Sequence, residues 1–453
     1  MLLSNEARVT AHNTYKKDEV KVYMAIKAKS LTDIYALFKP MALTGEQYEY
    51  YQKTAAARDG AAYEFHVGLF NRIKKSNAPD RLLVVGHGGC GKSTELHMLI
   101  RDLDAEKYPV IHIIAQDDLD PYSFSYVDIF MLIVERMIQF SEKSKLKIDK
   151  KIISAFQRAL SVKVTEEFWN KDAETGVEGS ITASASIPFF LNVIARITSS
   201  LRITAGFNEQ LRQEIKPRIH DIILSLNALN DNLSKQMDHR IVIIIDGLEK
   251  CRQECVQKLF IEDIAVFSGV RADLVISCPI AVYRSEHSSM LAGYFSSPVV
   301  MPMISTHDKD GCAVEGGVSV IRELILKRAE PYLFEDGVLE MIISKAGGSL
   351  RDTCYILSNS AFEADMRNRK TIDIDSVDFV LRNFASDVFF RIDSKLYPRV
   401  KKIYDGDREA RQDVELSKLL YSGAVFEYNG NRWVDLHPLV REYIKDHPGV
   451  LKW

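Results

Sequence analysis

The chain has 453 residues, 46% of them hydrophobic and 27% charged, with 59 lysines and arginines against 62 aspartates and glutamates. That length exceeds one ordinary domain, so two to four modules are expected, and the composition is that of a soluble globular protein with a real core. The net charge of −3 gives no global drive toward nucleic acid or a membrane surface.

The opening "MLLSNEARVTAHN" lacks an apolar leader, so a cytoplasmic protein is expected. The six cysteines are scattered, and the Cys251 and Cys255 pair has no second pair or histidine cluster to complete a zinc site. Residues 1–75 read as a mixed segment that ends in a helix, with Phe65, Leu69 and Ile73 at fourfold spacing. "RLLVVG" then reads as a strand, followed by a glycine-rich turn and a helix from residue 92 to about 103. A second strand is expected over 108–116, a third in "RIVIIIDGLEK" and a fourth in "ADLVISCPI". Such β-branched runs separated by helices predict an α/β fold, a parallel sheet with helices on both faces.

The core is assigned to 76–300, with an insertion around 141–236 whose middle, "NKDAETGVEGSITASASIP", reads as a loop or arm. The apolar stretch Ile187–Ile203 carries Arg196 and Arg202 and is short for a membrane span, so buried packing is expected there, with a membrane-touching segment as the alternative. Residues 301–385 read as a helical lid. Over 386–453 the pattern is helix, strand, the turn signal "YNGN", strand and helix, which predicts a winged helix.

Residues 82–94, "LLVVGHGGCGKST", contain G-x-x-x-x-G-K-[ST] at Gly86, Gly91, Lys92 and Ser93, between a strand and a helix, the setting that gives this motif its meaning. Glycines let consecutive main-chain N–H groups turn inward around phosphate oxygens. The helix start adds its positive end. Lys92 is a point charge for the β and γ phosphates, and the Ser93 hydroxyl is a ligand for Mg²⁺. His87, Gly88, Gly89, Cys90 and Thr94 complete the expected nucleotide-binding loop, with ATP and Mg²⁺ as cofactors. Asp246, ending the run "IVIIID", is the second metal-side residue, acting through a water. Gly247 follows it, so an adjacent glutamate is missing. Glu249 is then the nearest group to orient the attacking water, with a solvated carboxylate at a helix start as the alternative, and slow or conditional hydrolysis is expected.

"GHGGCGKST" together with "IVIIIDGLEK" resembles the STAND class of P-loop ATPases, a sister group of the AAA+ and origin-recognition ATPases. Asp246, Gly247, Leu248 and Glu249 match the D-G-[LF]-[DE]-[DE] pattern of its NACHT subgroup, while Lys250 replaces the last acid. The resemblance spans about residues 60–446. It implies that "DLVISCPI" is a sensor strand with Ser277 nearest the phosphate. The arginine that often ends that strand is missing, and Arg271 and Arg284 flank it as site, intersubunit or surface residues. It further implies that Arg351 in "GGSLRDTCYIL" reaches phosphate in a closed state, with helix capping or a surface ion pair with Asp352 as the alternative. His437 in "WVDLHPLVREYI" is implied to touch a bound diphosphate, with a packing or helix-start role as the alternative.

The function implied is a nucleotide-dependent switch that regulates a partner effector or its own oligomerisation, in a prokaryotic antiviral defence module. The alternative is a DNA-associated ATPase of the origin-recognition or loader type, its winged helix on the duplex. Residues 391–453 carry 12 Lys and Arg against 10 Asp and Glu, a weak basic surface for that purpose. A small-molecule kinase is a third reading that the loop permits. No membrane partner is expected.

Overall fold

The computed structural model describes residues 27–160, 162–170, 187–203, 207–286, 288–410, 413–428 and 433–451. Its centre is a sheet of five parallel strands: β1 (Arg81–Gly86), β2 (Val110–Ile114), β3 (Val242–Asp246), β4 (Asp273–Pro279) and β5 (Ser296–Met301), in the order β2-β3-β4-β1-β5. Side chains alternate between two cores, as the pleat requires. Leu82, Val84, Val242, Ile244 and Val275 face one side, where the helices Lys92–Ala105 and Phe65–Lys75 cover them. Leu83, Val85, Ile243, Ile245 and Ile276 face the other, under the helix Tyr126–Lys143. Each such side chain, fully buried, contributes about 1.5–3 kcal/mol relative to exposure. The fold is that of a P-loop NTPase with a helical C-terminal region.

β2 is shorter than the run 108–116 suggests. The Asp118 carboxylate accepts a hydrogen bond from Ile114 N at 2.8 Å, and residues Ala115–Asp118 coil into one helical turn. The long stretch between β2 and β3 is largely helical among the described residues, with helices Lys150–Ala159, Ile187–Ile203, Phe207–Ile215 and Ile219–Met237. A buried pair, Arg212 with Asp128, ties it to the helix after β2 at 2.8 and 2.9 Å. The arm expected within this stretch lies outside the described residues. Ile187–Ile203 buries Phe190, Val193, Ile194 and Ile197 in the core, and no helix among the described residues is long and apolar enough to cross a membrane.

After β5 come the helices Glu315–Arg328, Val338–Ala346, Leu350–Met366 and Ile374–Phe390. The last runs unbroken across the boundary expected at 385/386. Helices Tyr397–Tyr404 and Val414–Ser422 follow, then the antiparallel pair β6 (Val425–Tyr428) and β7 (Trp433–Leu436), and the helix Pro438–Asp446. The turn joining β6 to β7 lies outside the described residues. Met303, just past β5, donates its N–H to Glu427 O at 3.1 Å, so β6 is attached directly to the end of the main sheet. Near the other end of the chain, the helix Leu31–Leu37 lies against Leu350–Met366, with the Tyr35 and Phe362 rings 5.6 Å apart.

Candidate functional site

The loop after β1 turns with Gly89 at φ +88° and Gly91 at φ +104° before the helix starts at Lys92. The Lys92 ammonium is buried. It donates to Gly86 O at 3.1 Å and His87 O at 2.9 Å and stands 3.5 Å from Glu249 Oε1. Burial opposes its charge, but Glu249, with Cys90 and Asp246, raises its pKa above the ordinary lysine value. Burial also works against a charged Glu249, and Lys92 overrides it, so that the Glu249 carboxyl lies below the usual range. Asp246 is shifted the other way, upward, by burial and by the charge of Glu249.

Asp246 accepts from Gly247 N at 2.7 Å, and the neighbouring Ser93 hydroxyl acts to lower its pKa. A serine hydroxyl beside a buried carboxylate is an oxygen donor set that suits Mg²⁺. Glu249 Oε2 and Ser277 Oγ are buried without a hydrogen-bond partner among the described residues, a cost that a bound ligand or water would remove. The residues present therefore fit Mg²⁺: Ser93 and Asp246 would hold it, and it would neutralise phosphate charge. Ser277 pairs with Val84 on β1, two residues short of Gly86, so it lies beneath the loop.

The C-terminal region closes over the same loop. Arg351 N donates to Gly89 O at 3.3 Å. A methyl group on Gly88 would stand 3.0 Å from Arg351 Nη1, and one on Gly89 would stand 2.7 Å from Arg351 Cβ and 3.0 Å from Ser349 Oγ. The two glycines thus permit the contact with the helix Leu350–Met366 as well as the turn. On the other flank, Glu427 N donates to His87 Nε2 at 2.8 Å. That bond requires the Nε2 lone pair, and burial beside Lys92 and Arg284 pushes the His87 pKa down to about 3, so the imidazole is neutral.

Arg284 is buried and grips Glu427 through two hydrogen bonds, Nε to Oε2 at 2.7 Å and Nη2 to Oε1 at 2.5 Å. It is neither a surface arginine nor one free to reach another subunit. Arg271 pairs with Asp231 at the surface. His437 caps the helix Pro438–Asp446, accepting from Leu439 N at 3.1 Å, with its other nitrogen 3.4 Å from Asp352. It also lines a cavity of about 110 Å³ shared with His87, Gly88, Glu249 and Arg351.

Two further cavities, of about 110 and 710 Å³, adjoin along Met41, Leu43, Ser93, Lys250, Arg328 and Arg351. Met41, Leu43, Leu324 and Leu350 make the smaller one partly apolar, suited to a base, beside the loop residues Gly91 to Thr94. Sequence reasoning missed this wall. Residues 38–58 carry no motif, and their position is set by buried long-range bonds. Tyr51 donates to Glu95 at 2.7 Å, and Arg58 donates to Cys90 O and Pro302 O.

Residues 68–271 match the model of the KAP family P-loop domain. That span holds the loop, Asp246 and Glu249, and covers less than half of the chain. The match supports a P-loop NTPase domain and does not confirm the STAND group that the motifs resemble. No curated protein matches the sequence. Among solved structures, the chain is similar to an Aeropyrum pernix ORC1 protein in complex with DNA, at 12% identity and a TM-score of 0.40, covering 93% of this chain and 97% of that one. It is similar to Drosophila ORC bound to DNA at 10% identity and a TM-score of 0.38, covering 91% and 82%. It is also similar to the Thermotoga maritima RuvB Holliday junction branch migration motor at 12% identity and a TM-score of 0.31, covering 84% and 91%.

Proposed function

We propose that the chain binds ATP with Mg²⁺ on the loop from Gly86 to Thr94, hydrolyses it slowly, and uses the nucleotide state to set how its C-terminal region sits on that loop. Through that movement it regulates a partner effector or its own assembly. The observation that carries this reading is the contact of Arg351 with Gly88 and Gly89, which places a cation of the C-terminal region over the phosphate loop. ATP and ADP differ by one phosphate and its charge. A difference of about 1.4 kcal/mol in how the two nucleotides favour the closed arrangement shifts its population ratio tenfold. In this reading Lys92 holds phosphate, Ser93 and Asp246 hold the metal, Glu249 orients water, and Ser277 supports the loop from below. His437 joins the far side of the site. The biological setting that the motif resemblance suggests is a prokaryotic antiviral defence module.

Hydrogen exchange over residues 347–366 and 424–440, measured with ATP, with ADP and without nucleotide, tests the switch. Protection that differs between ATP and ADP is expected, and Lys92→Ala should bind neither. Equal exchange in all three states, or nucleotide retained by Lys92→Ala, would overturn the reading.

A further inference from the structure

His97, His112 and Asp246 come from three separate elements and converge. His112 pairs with Ile244 in the β2–β3 register, and Ile114 pairs with Asp246. Ile244 packs in the core beneath the helix Lys92–Ala105, and the twofold pleat puts Asp246 and His112 on that same face. His97 descends from that helix, one turn beyond Ser93. One donor atom from each residue lies within 4.8 Å of the other two.

We propose that these three residues bind one borderline divalent cation of the zinc class, with a donor set different from the all-oxygen pair that suits Mg²⁺. Two imidazoles and one carboxylate match the preference of Zn²⁺ and its neighbours, whereas Mg²⁺ takes oxygen. Two observations show a prepared site. His97 Nδ1 bonds to Leu43 O at 2.9 Å, so that nitrogen carries the proton and Nε2 keeps its lone pair. This is the outer support that metal-ligating histidines use. His112 Nε2 is buried with no hydrogen-bond partner among the described residues, an arrangement that costs stability unless something accepts its lone pair or proton. His97 and Asp246 also line the cavity of about 710 Å³, which gives an ion a way in and leaves room for a water as fourth ligand. A tetrahedral ion about 2 Å from each donor sets donors roughly 3.3 Å apart, inside the 4.8 Å that bounds them in the ion-free chain, so binding requires the donors to draw together.

The test uses the full chain stripped with a chelator and contains no nucleotide, so its outcome is independent of the ATP reading. Cobalt(II) is titrated and its visible ligand-field absorption followed, then displaced by Zn²⁺. One cobalt per chain with intense four- or five-coordinate bands is expected. His97→Ala and His112→Ala should each weaken binding at least tenfold, and Cys251→Ser with Cys255→Ser should leave it unchanged. Absence of the bands, bands insensitive to both histidine substitutions, or bands that vanish with the cysteines would overturn the proposal. Zinc-edge X-ray absorption of the unsubstituted chain reads the donors directly. Two imidazoles and no sulfur are expected, and a sulfur shell or fewer than two imidazoles sinks the assignment.

Discussion

Glu249 Oε1 stands 3.5 Å from Lys92 Nζ, so the carboxylate competes with any bound phosphate for the charge of the ammonium. Glu249→Gln removes that competition and the candidate water-orienting base together. ATP affinity is expected to rise severalfold while phosphate release falls by about 10²–10⁴. Nucleotide titration and a phosphate-release assay separate the two effects. Hydrolysis that survives unchanged would leave Glu249 as only the resting partner of Lys92.

Arg351 meets the loop through its main-chain N–H and its guanidinium. Arg351→Ala keeps the first contact and loses the second. A charge-assisted hydrogen bond contributes about 1.5–3 kcal/mol, so ATP affinity should fall roughly 10- to 150-fold, with ADP affected less. Arg351→Lys keeps the charge without the planar fork and should recover part of the loss. Equal weakening of ATP and ADP would show that the side chain does not read the terminal phosphate.

His87 makes stability depend on pH in a direction that can be worked out. Its folded pKa is about 3, below the ordinary 6.5. Between these values the unfolded chain takes up a proton that the folded chain refuses, so stability falls as pH drops from about 6.5 toward 3. At pH 5 the loss is about 2 kcal/mol relative to neutral pH. His87→Asn keeps an acceptor for Glu427 N and does not titrate. Urea unfolding at pH 7.5 and 5.0 should show a loss larger by about that amount in the parent chain than in the variant. Equal losses would mean that His87 titrates normally in the folded state.

Much of the sheet was legible because its strands are continuous apolar runs, buried on both faces, and Asp246 stood out as the carboxylate that ends one of them. The phosphate loop was legible because glycines, a lysine and a hydroxyl follow in fixed order. Arg284 was not. Its neighbours in sequence say nothing of Glu427, which is 143 residues away, and only the folded chain decides whether an arginine is paired inside or solvated outside. The same holds for Leu43 and Arg58, which line the site through long-range bonds to Thr94, Cys90 and Pro302 rather than a pattern. The partnership of His97 and His112 depends on the β2–β3 register, which no single segment carries.

The Arg284–Glu427 pair joins the segment after β4 to β6, and the Glu427 N–H continues the connection to His87. Both side chains are buried, at 6% and 1% exposure, so neither charge can turn to water when its partner is removed. Arg284→Met should therefore cost about 3–5 kcal/mol, and Glu427→Leu a similar amount, whereas the double substitution should recover most of the loss because both charges leave together. Urea unfolding of the four proteins measures the cycle. Hydrogen exchange at residues 424–428 should rise in each single variant, because an uncompensated charge pulls β6 away from the loop. A double variant whose loss equals the sum of the two single losses would mean that the pair is not coupled, and that β6 is held to the phosphate loop by the Met303 and His87 hydrogen bonds alone.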